Sequence, residues 1–209
     1  MKPEFAPWTD PVRSKKYFET TADRPAHGIF DILEPHLPPM GRALDLGCGA
    51  GRGTLRLLSL GFDVTAVDMS DQGLEFLRQR LPKDAAATLI CSSFQDLKLE
   101  GRYDVVVAVC SLFFLPPPQF ATFWPTVVEA IVPGGLFAGL FLGVNDSWKD
   151  RTFTLHDRHE VESLLSDFEI VHLVEDENDG ETAIGEPKHW HTFSVVAKKL
   201  GHLVLARPN

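Results

Sequence analysis

The chain has 209 residues, which is enough for one domain with a substantial hydrophobic core. Its composition is ordinary for a globular protein, and its net charge of −9 without a basic stripe argues against nucleic-acid binding. No apolar run reaches the roughly 18 residues needed to cross a bilayer, and the first residues lack the apolar core of a signal peptide. Cys48, Cys91 and Cys110 stand apart with no CxxC spacing. We therefore expect neither a disulfide framework nor a metal site, and a reducing, cytoplasmic setting is the default.

Strands and helices are predicted to alternate along most of the chain. Residues 1–40 are mixed and predict one or two helices, the second over 26–35. Strands are expected at 42–46, 63–67, 88–91, 103–110 and 136–143, and helices at 52–60, 71–80 and 120–131. After an irregular loop at 145–153, the pattern predicts a helix capped by Asp157, a strand at 168–174, a solvated acidic turn at 175–180 and a last strand at 189–197. This order predicts an open, mostly parallel sheet with helices on both faces and an antiparallel hairpin at the end.

The most informative stretch is residues 45–51, Asp-Leu-Gly-Cys-Gly-Ala-Gly, which joins a predicted strand to a predicted helix. Such a unit holds the ribose and backbone of a nucleoside-containing cofactor, and Asp68 places a carboxylate at the tip of the next strand. The dinucleotide fingerprint G-x-G-x-x-G is not met, because Arg52 stands at the third glycine position. Asp45 would repel a pyrophosphate and stabilise a cationic amino group. The pattern therefore points away from NAD and toward a nucleoside that carries an amino acid.

Four motifs in order resemble those of the class I S-adenosylmethionine-dependent methyltransferases. They are motif I at 45–51, the acidic motif at 67–70, the fourth-strand motif at 103–107 and the turn at 132–135. The final segment, 189–199, resembles the family's closing strand, and the layout is similar to small-molecule methyltransferases of the tellurite-resistance type. The resemblance implies an α/β, Rossmann-like three-layer sandwich with a mostly parallel seven-stranded sheet and a C-terminal antiparallel strand. It also implies one methyltransferase domain over 1–209, with a core at about 25–199 and a lid or substrate segment at 1–40.

The resemblance further implies which residues hold the methionine and ribose portions of S-adenosylmethionine. Gly47 and Gly49 would let the backbone approach them, and Asp45 would receive the methionine amino group. Asp68, 19 positions after Gly49, would accept hydrogen bonds from both ribose hydroxyls. Further cofactor contacts are expected at Cys48, Gly51 and Cys110.

On the adenine side, Met69 would pack on the ring and Phe94 would offer its backbone N–H. Ser93 stands where many family members have an acid, so recognition of the adenine amino group departs from the family pattern. Cys110 would lie beneath the methyl-bearing sulfonium. We expect Cys48 and Cys110 to act through packing or backbone contacts, because isolated cysteines usually behave as small buried hydrophobes.

The acceptor site is expected between residues 17–24 and 145–153, at the carboxyl ends of the strands. The candidate substrate residues are Tyr17, Arg24, Phe114, Trp148 and His191. His189 and His191 face one side of the last strand and could act as a base, bind a metal or be satisfied by neighbouring side chains.

The interpretation is a methyltransferase that transfers a methyl group to a small-molecule acceptor by in-line displacement and releases S-adenosylhomocysteine. We expect a monomer or homodimer with no nucleic-acid or membrane partner. Two alternatives stay open: a catalytically silent S-adenosylmethionine-binding module and an NAD(P)-dependent oxidoreductase.

Overall fold

The computed structural model describes residues 11–149 and 151–201. The α-helices of these ranges are α1 (Pro11–Ala22), α2 (Ile29–Leu33), α3 (Arg52–Ser59), α4 (Asp71–Arg80), α5 (Pro117–Ala130) and α6 (Arg158–Leu164). The strands are β1 (Gly41–Leu46), β2 (Phe62–Asp68), β3 (Ala87–Cys91), β4 (Tyr103–Ala108), β5 (Ile131–Gly143), β6 (Leu155–His156), β7 (Phe168–Glu181) and β8 (Pro187–Lys199). Residues 1–10 of the expected lid and the last eight residues of the expected single domain lie outside the described ranges.

The strands form one mixed sheet in the order β3-β2-β1-β4-β5-β8-β7, and the short β6 pairs with β5. The pairs from β3 through β5 are parallel, whereas β8 is antiparallel to both β5 and β7. This confirms the predicted α/β fold with its mostly parallel sheet and antiparallel C-terminal strand. The two-residue β6 adds an eighth strand, which is too short to leave a periodic signal in the sequence.

Side chains alternate between the two faces of the central strands, and helices pack on both faces, which produces the three layers. On β4, Val105 and Val107 pack with α2 and α3 on one face, while Val106 and Ala108 pack with α5 and α6 on the other. A strand that is covered on both faces must be apolar at every position, which is why β4 reads as a continuous valine-rich run. None of the helices within the described ranges is long and apolar enough to span a membrane.

The acidic run after residue 174 is part of a long strand, so the prediction of a turn at 175–180 was wrong. β7 continues to Glu181, and the reversal occurs at residues 182–186. Glu177 lies opposite His191, and Asp179 lies opposite His189. β7 is the edge strand of the sheet, where charged side chains face solvent and discourage pairing with other chains. Its polar composition therefore reflects exposure and does not mark a chain reversal.

Candidate cofactor and acceptor site

Three adjoining clefts open at the carboxyl ends of the parallel strands. The chain switches there from the β1–β2–β3 half of the sheet to the β4–β5 half, which is where open α/β sheets bind ligands. The loop cleft is lined by residues that include Tyr17, Asp45, Gly47, Cys48, Gly49 and Cys110. The side cleft is lined by residues that include Asp68, Met69, Ser93, Phe94, Ser111 and Gln119. The outer cleft is lined by residues that include Arg13, Tyr17, Arg24, Arg52, Phe114, Trp148 and Arg151.

The turn after β1 requires its glycines. Gly47, Gly49 and Gly51 have φ values of 74°, 54° and 87°, a left-handed conformation that favours glycine. A Cβ atom at Gly47 would lie 2.3 Å from the Cβ of Ser111. The N–H groups of Gly47 and Cys48 both donate to the Val67 carbonyl, at 2.8 and 3.0 Å. The turn is thus tied to β2, and bare backbone faces the loop cleft.

Asp68 is the carboxylate that this turn holds at the tip of β2. Its Oδ2 accepts a hydrogen bond from the Gly49 N–H at 2.8 Å, and its Oδ1 accepts one from the Ser70 N–H at 2.8 Å. Burial raises the pKa of Asp68, while these backbone bonds act in the opposite direction. Each carboxylate oxygen can accept more than one hydrogen bond, so Asp68 keeps capacity for two ligand hydroxyls.

A second carboxylate, that of Asp45, lines the loop cleft. It is buried on β1, and its Oδ2 accepts a hydrogen bond from the Thr54 hydroxyl at 2.7 Å. Burial raises the pKa of Asp45 to about 6, against the opposing effect of the Thr54 bond. A cationic group bound beside Asp45 would favour its ionised form.

The side cleft brings together the residues expected around adenine. Met69 is exposed, and Phe94 stacks on Phe123 with ring centroids 5.0 Å apart. The Ser93 hydroxyl donates to Asp96 Oδ2 at 2.7 Å. Asp96 therefore brings a carboxylate next to Ser93, a contact that the sequence analysis did not identify.

Ser111 is a further side-cleft residue that sequence reasoning missed. Its hydroxyl oxygen is buried and has no hydrogen-bond partner among the described residues. A buried polar atom is normally paired, so this hydroxyl is available to a bound ligand. The available signal was its place just after β4, beside the glycine turn.

The phenol, thiol and imidazole groups around the junction of the loop and outer clefts stay neutral at physiological pH, next to the charged Arg52. Burial raises the pKa of Tyr17 to about 12 and that of the Cys110 thiol to about 11. Burial also raises the pKa of Cys48 and lowers that of His27. Cys110 has a φ of 55°, a conformation that few non-glycine residues adopt. These neutral groups shape the junction and offer no ready nucleophile.

The structure brings four of the five candidate substrate residues to the outer cleft, namely Tyr17, Arg24, Phe114 and Trp148. The tip of the β7–β8 hairpin forms another wall, which the sequence analysis did not foresee.

His191 does not line the outer cleft, so the structure does not support its prediction as a substrate residue. Its ring is buried, with Nε2 bonded to Glu175 at 3.0 Å and Nδ1 accepting the Asn145 N–H at 3.1 Å. Trp190, the preceding residue, lines the outer cleft instead, because neighbouring strand residues point to opposite faces.

Comparisons with known proteins agree with this geometry. The family described as "Methyltransferase domain" matches residues 43–135. The putative methyltransferase YqeM of Bacillus subtilis is 32% identical over 60% of this chain and 53% of its own length. TehB of Haemophilus influenzae, a probable S-adenosylmethionine-dependent methyltransferase, is 31% identical over 49% of this chain and 34% of its own length. The chain thus spans about half the length, or less, of the curated relatives it matches.

Solved structures share the fold at lower sequence identity. The crystal structure of Haemophilus influenzae TehB aligns with a TM-score of 0.72 and 21% identity, covering 89% of this chain and 67% of TehB. The N-methyltransferase NodS of Bradyrhizobium japonicum, crystallised with S-adenosylhomocysteine, aligns with a TM-score of 0.64 and 16% identity, covering 91% and 88%. The expected similarity to the tellurite-resistance type is confirmed by sequence and by structure. The matched domain at residues 43–135, the ordered motifs and the sheet topology are all similar to those of the class I S-adenosylmethionine-dependent methyltransferases.

Proposed function

We propose that this protein transfers a methyl group from S-adenosylmethionine to a small-molecule acceptor. The observation that carries the proposal is that the loop and side clefts, which suit the cofactor, adjoin the outer cleft. The glycine turn, the buried Asp45 and the half-buried Asp68 line the loop and side clefts, and Tyr17 and Cys110 border both the loop cleft and the outer cleft. The outer cleft has a volume of about 250 Å³, close to the lower end of the roughly 300–1,000 Å³ typical of small-molecule sites.

The residues of the loop cleft and the side cleft fit the cofactor. Asp68 would bind the ribose hydroxyls, and the bare backbone of the glycine turn allows close approach. Asp45 would receive the amino group, and the unpaired hydroxyl of Ser111 supplies a further polar contact. Phe94 and Met69 supply the apolar part of the side cleft, where the adenine ring would lie.

The chain contributes mainly orientation and exclusion of water. When bound, S-adenosylmethionine supplies a methyl group on positively charged sulfur, which an acceptor atom takes by in-line displacement while the bonding electrons stay on sulfur. Tyr17 and Cys110 hold their protons at neutral pH and so supply shape at the junction of the clefts. This arrangement suits an acceptor that is already nucleophilic, because holding two reactants in line supplies much of the rate enhancement.

Three further points belong to this proposal. Residues 1–40 act as a lid within a single domain spanning 1–209, supported by the position of α1 beside the outer cleft. The protein works in a reducing, cytoplasmic setting, supported by the exposed thiol of Cys91. It acts as a monomer or homodimer, which light scattering would test.

Two measurements test the proposed function. Calorimetry should show tighter binding of S-adenosylhomocysteine than of NADH, and the reverse order would favour an oxidoreductase. A methyl-transfer screen with labelled cofactor over thiols, phenols, amines, metalloid oxyanions and carboxylic acids should reveal an acceptor. Tight cofactor binding with no transfer to any of them would favour the silent binding module.

A further inference from the structure

The outer cleft concentrates positive charge in an acidic protein. Arg13, Arg24, Arg52 and Arg151 all line it, in a chain whose net charge is −9. They come from three separate parts of the sequence, so the fold itself assembles the cluster. Clustered guanidinium groups are the usual means of binding carboxylate and phosphate groups in proteins.

Fewer carboxylates than arginines line the described part of the cleft. Among the described residues these are Glu181 and Glu186, against four arginines. Glu186 forms an ion pair with Arg13, and the Glu181 side chain is exposed. Arg24 and Arg52 donate to the backbone carbonyls of Ala183 and Pro25, at 3.0 and 3.4 Å. Hydrogen bonds to neutral carbonyls leave a guanidinium charge in place.

Aromatic rings form the apolar part of the same cleft. Trp148 lies 6.0 Å from Phe114 and 5.6 Å from Trp190, measured between ring centroids. The Arg151 guanidinium lies 4.9 Å from the centre of the Trp148 ring, and Lys188 Nζ lies 4.0 Å from it. Cation–π contacts thus hold Trp148 and Trp190, and with Phe114 these rings supply the apolar part of the lining next to the arginines.

We propose that the acceptor is a compact aromatic molecule with a carboxylate, whose charge is held by the arginines of the outer cleft and whose ring packs on Trp148 and its neighbours. This inference rests on the proposed function, because it concerns the acceptor side of that site. A bound sulfonium adds further positive charge at the junction of the clefts, which favours an anionic partner over a protonated amine. An acceptor that arrives as an anion also suits a site whose tyrosine and thiol retain their protons.

The test compares two probes that differ in charge and little in shape. 2-Naphthoate and 2-naphthamide are titrated by calorimetry into the protein saturated with S-adenosylhomocysteine. We expect the carboxylate to bind at least tenfold more tightly than the amide, since a hydrogen bond to a charged group is the stronger kind. Equal affinities would overturn the inference. Inorganic phosphate tests the aromatic part, because phosphate binding as tightly as naphthoate would also overturn it.

Variants link the preference to the arginines. Arg24→Gln should reduce naphthoate affinity about tenfold and leave naphthamide unchanged, and Arg24→Lys should retain part of the preference. Arg151→Gln should weaken both probes, because it removes charge and a ring-stacking partner. The matched control is Arg78→Gln, which alters an exposed arginine on α4 outside the clefts. Naphthoate binding unaffected by Arg24→Gln would overturn the assignment.

The two proposals can fail separately. Binding of S-adenosylhomocysteine is measured first and alone, and its absence would count against the proposed function. The naphthoate titration of the protein without cofactor still reports on the arginine cluster in that case. Intact cofactor binding together with no charge preference would reject only the inference about the acceptor.

Discussion

Two carboxylates at the glycine turn, the buried Asp45 and the half-buried Asp68, differ in what surrounds them. Asp68 accepts hydrogen bonds from the backbone N–H groups of two residues, whereas the hydrogen bonds to Asp45 come from Thr54. The backbone bonds favour the charged form of Asp68. The hydrogen bonds from Thr54 do not outweigh the burial of Asp45, which raises its pKa to about 6. Asp68 is thus prepared to accept hydroxyl hydrogen bonds, and Asp45 is prepared to meet a cation.

The first prediction concerns Asp68. Asp68→Ala should weaken S-adenosylhomocysteine binding by about 1–3 kcal/mol, because buried hydroxyls of the ligand would lose their acceptor. Asp63→Ala, at an exposed position on the same strand, is the matched control and should leave affinity unchanged. Isothermal calorimetry measures both, and an Asp68→Ala affinity equal to that of the parent protein would remove the ribose assignment.

The second prediction concerns Asp45 and pH. Its pKa is raised from 3.8 to about 6 on folding, so the folded state disfavours the ionised carboxyl. Its contribution to stability is complete below pH 4 and is lost as pH rises to about 6, a loss on the order of 3 kcal/mol. Asp45→Asn should therefore have the same unfolding free energy as the parent at pH 4 and a higher one at pH 7.

The same variant should bind cofactor less tightly at pH 7, because it lacks the charge that meets the amino group. Denaturant unfolding at the two pH values and calorimetry at pH 7 measure these opposed effects. A stability difference that does not change with pH would contradict the assigned pKa.

At the scale of elements, the turn between β1 and α3 depends on backbone that only glycine provides easily. Gly51 caps α3 with φ 87°, and a Cβ there would lie 2.3 Å from Leu77 Cδ1 on α4. The turn and α4 therefore pack closely because Gly51 has no side chain. The arrangement brings the loop cleft close to α4 without any bulky residue between them.

The third prediction follows from this packing. Gly51→Ala should lower the unfolding free energy by about 2–4 kcal/mol, combining left-handed strain with displacement of Leu77. Gly28→Ala is the matched control, since Gly28 has φ −57° and no atom within 4 Å of an added Cβ. It should be neutral or slightly stabilising. Thermal or urea unfolding measures both, and equal effects of the two substitutions would contradict the argument.

The sequence predicted those elements whose pattern follows from burial. β4 is covered on both faces and reads as an apolar run, and Ser70 caps α4 as its residue type indicates. The extent of β7 could not be predicted, because an exposed edge strand carries charges that resemble a turn. Ser111 and Asp96 were missed for other reasons. Ser111 lies beside the glycine turn through an approach between residues that are far apart in the chain. Asp96 is only three positions from Ser93, but the residue types alone do not show that the two side chains bond.

At the scale of the whole molecule, one buried ion pair ties the C-terminal hairpin to the rest of the fold. Lys188 on β8 contacts Asp146 in the loop after β5, and both side chains are almost fully buried. Asp146 also accepts the backbone N–H groups of Trp148 at 2.9 Å and His191 at 3.2 Å. This pair therefore supports the outer cleft from beneath, through Trp148.

The fourth prediction tests that support. Lys188→Met should cost about 3–5 kcal/mol of unfolding free energy, because Asp146 would remain buried without its cation. Adding Asp146→Asn removes the uncompensated charge and keeps an acceptor oxygen for one of the two N–H groups, so the double variant should recover part of the loss. Urea unfolding measures each protein. A double variant less stable than Lys188→Met would contradict the role given to the pair.

The Arg13–Glu186 ion pair joins residues 173 positions apart, and it closes one side of the outer cleft. At synthesis rates of about 5–20 residues per second, roughly 9–35 s separate the appearance of these two side chains on a ribosome. The glycine turn and Asp68 have by then long been made, since they lie in the first third of the chain. During its own synthesis, the protein therefore makes the glycine turn and Asp68 well before the last residues that line the outer cleft.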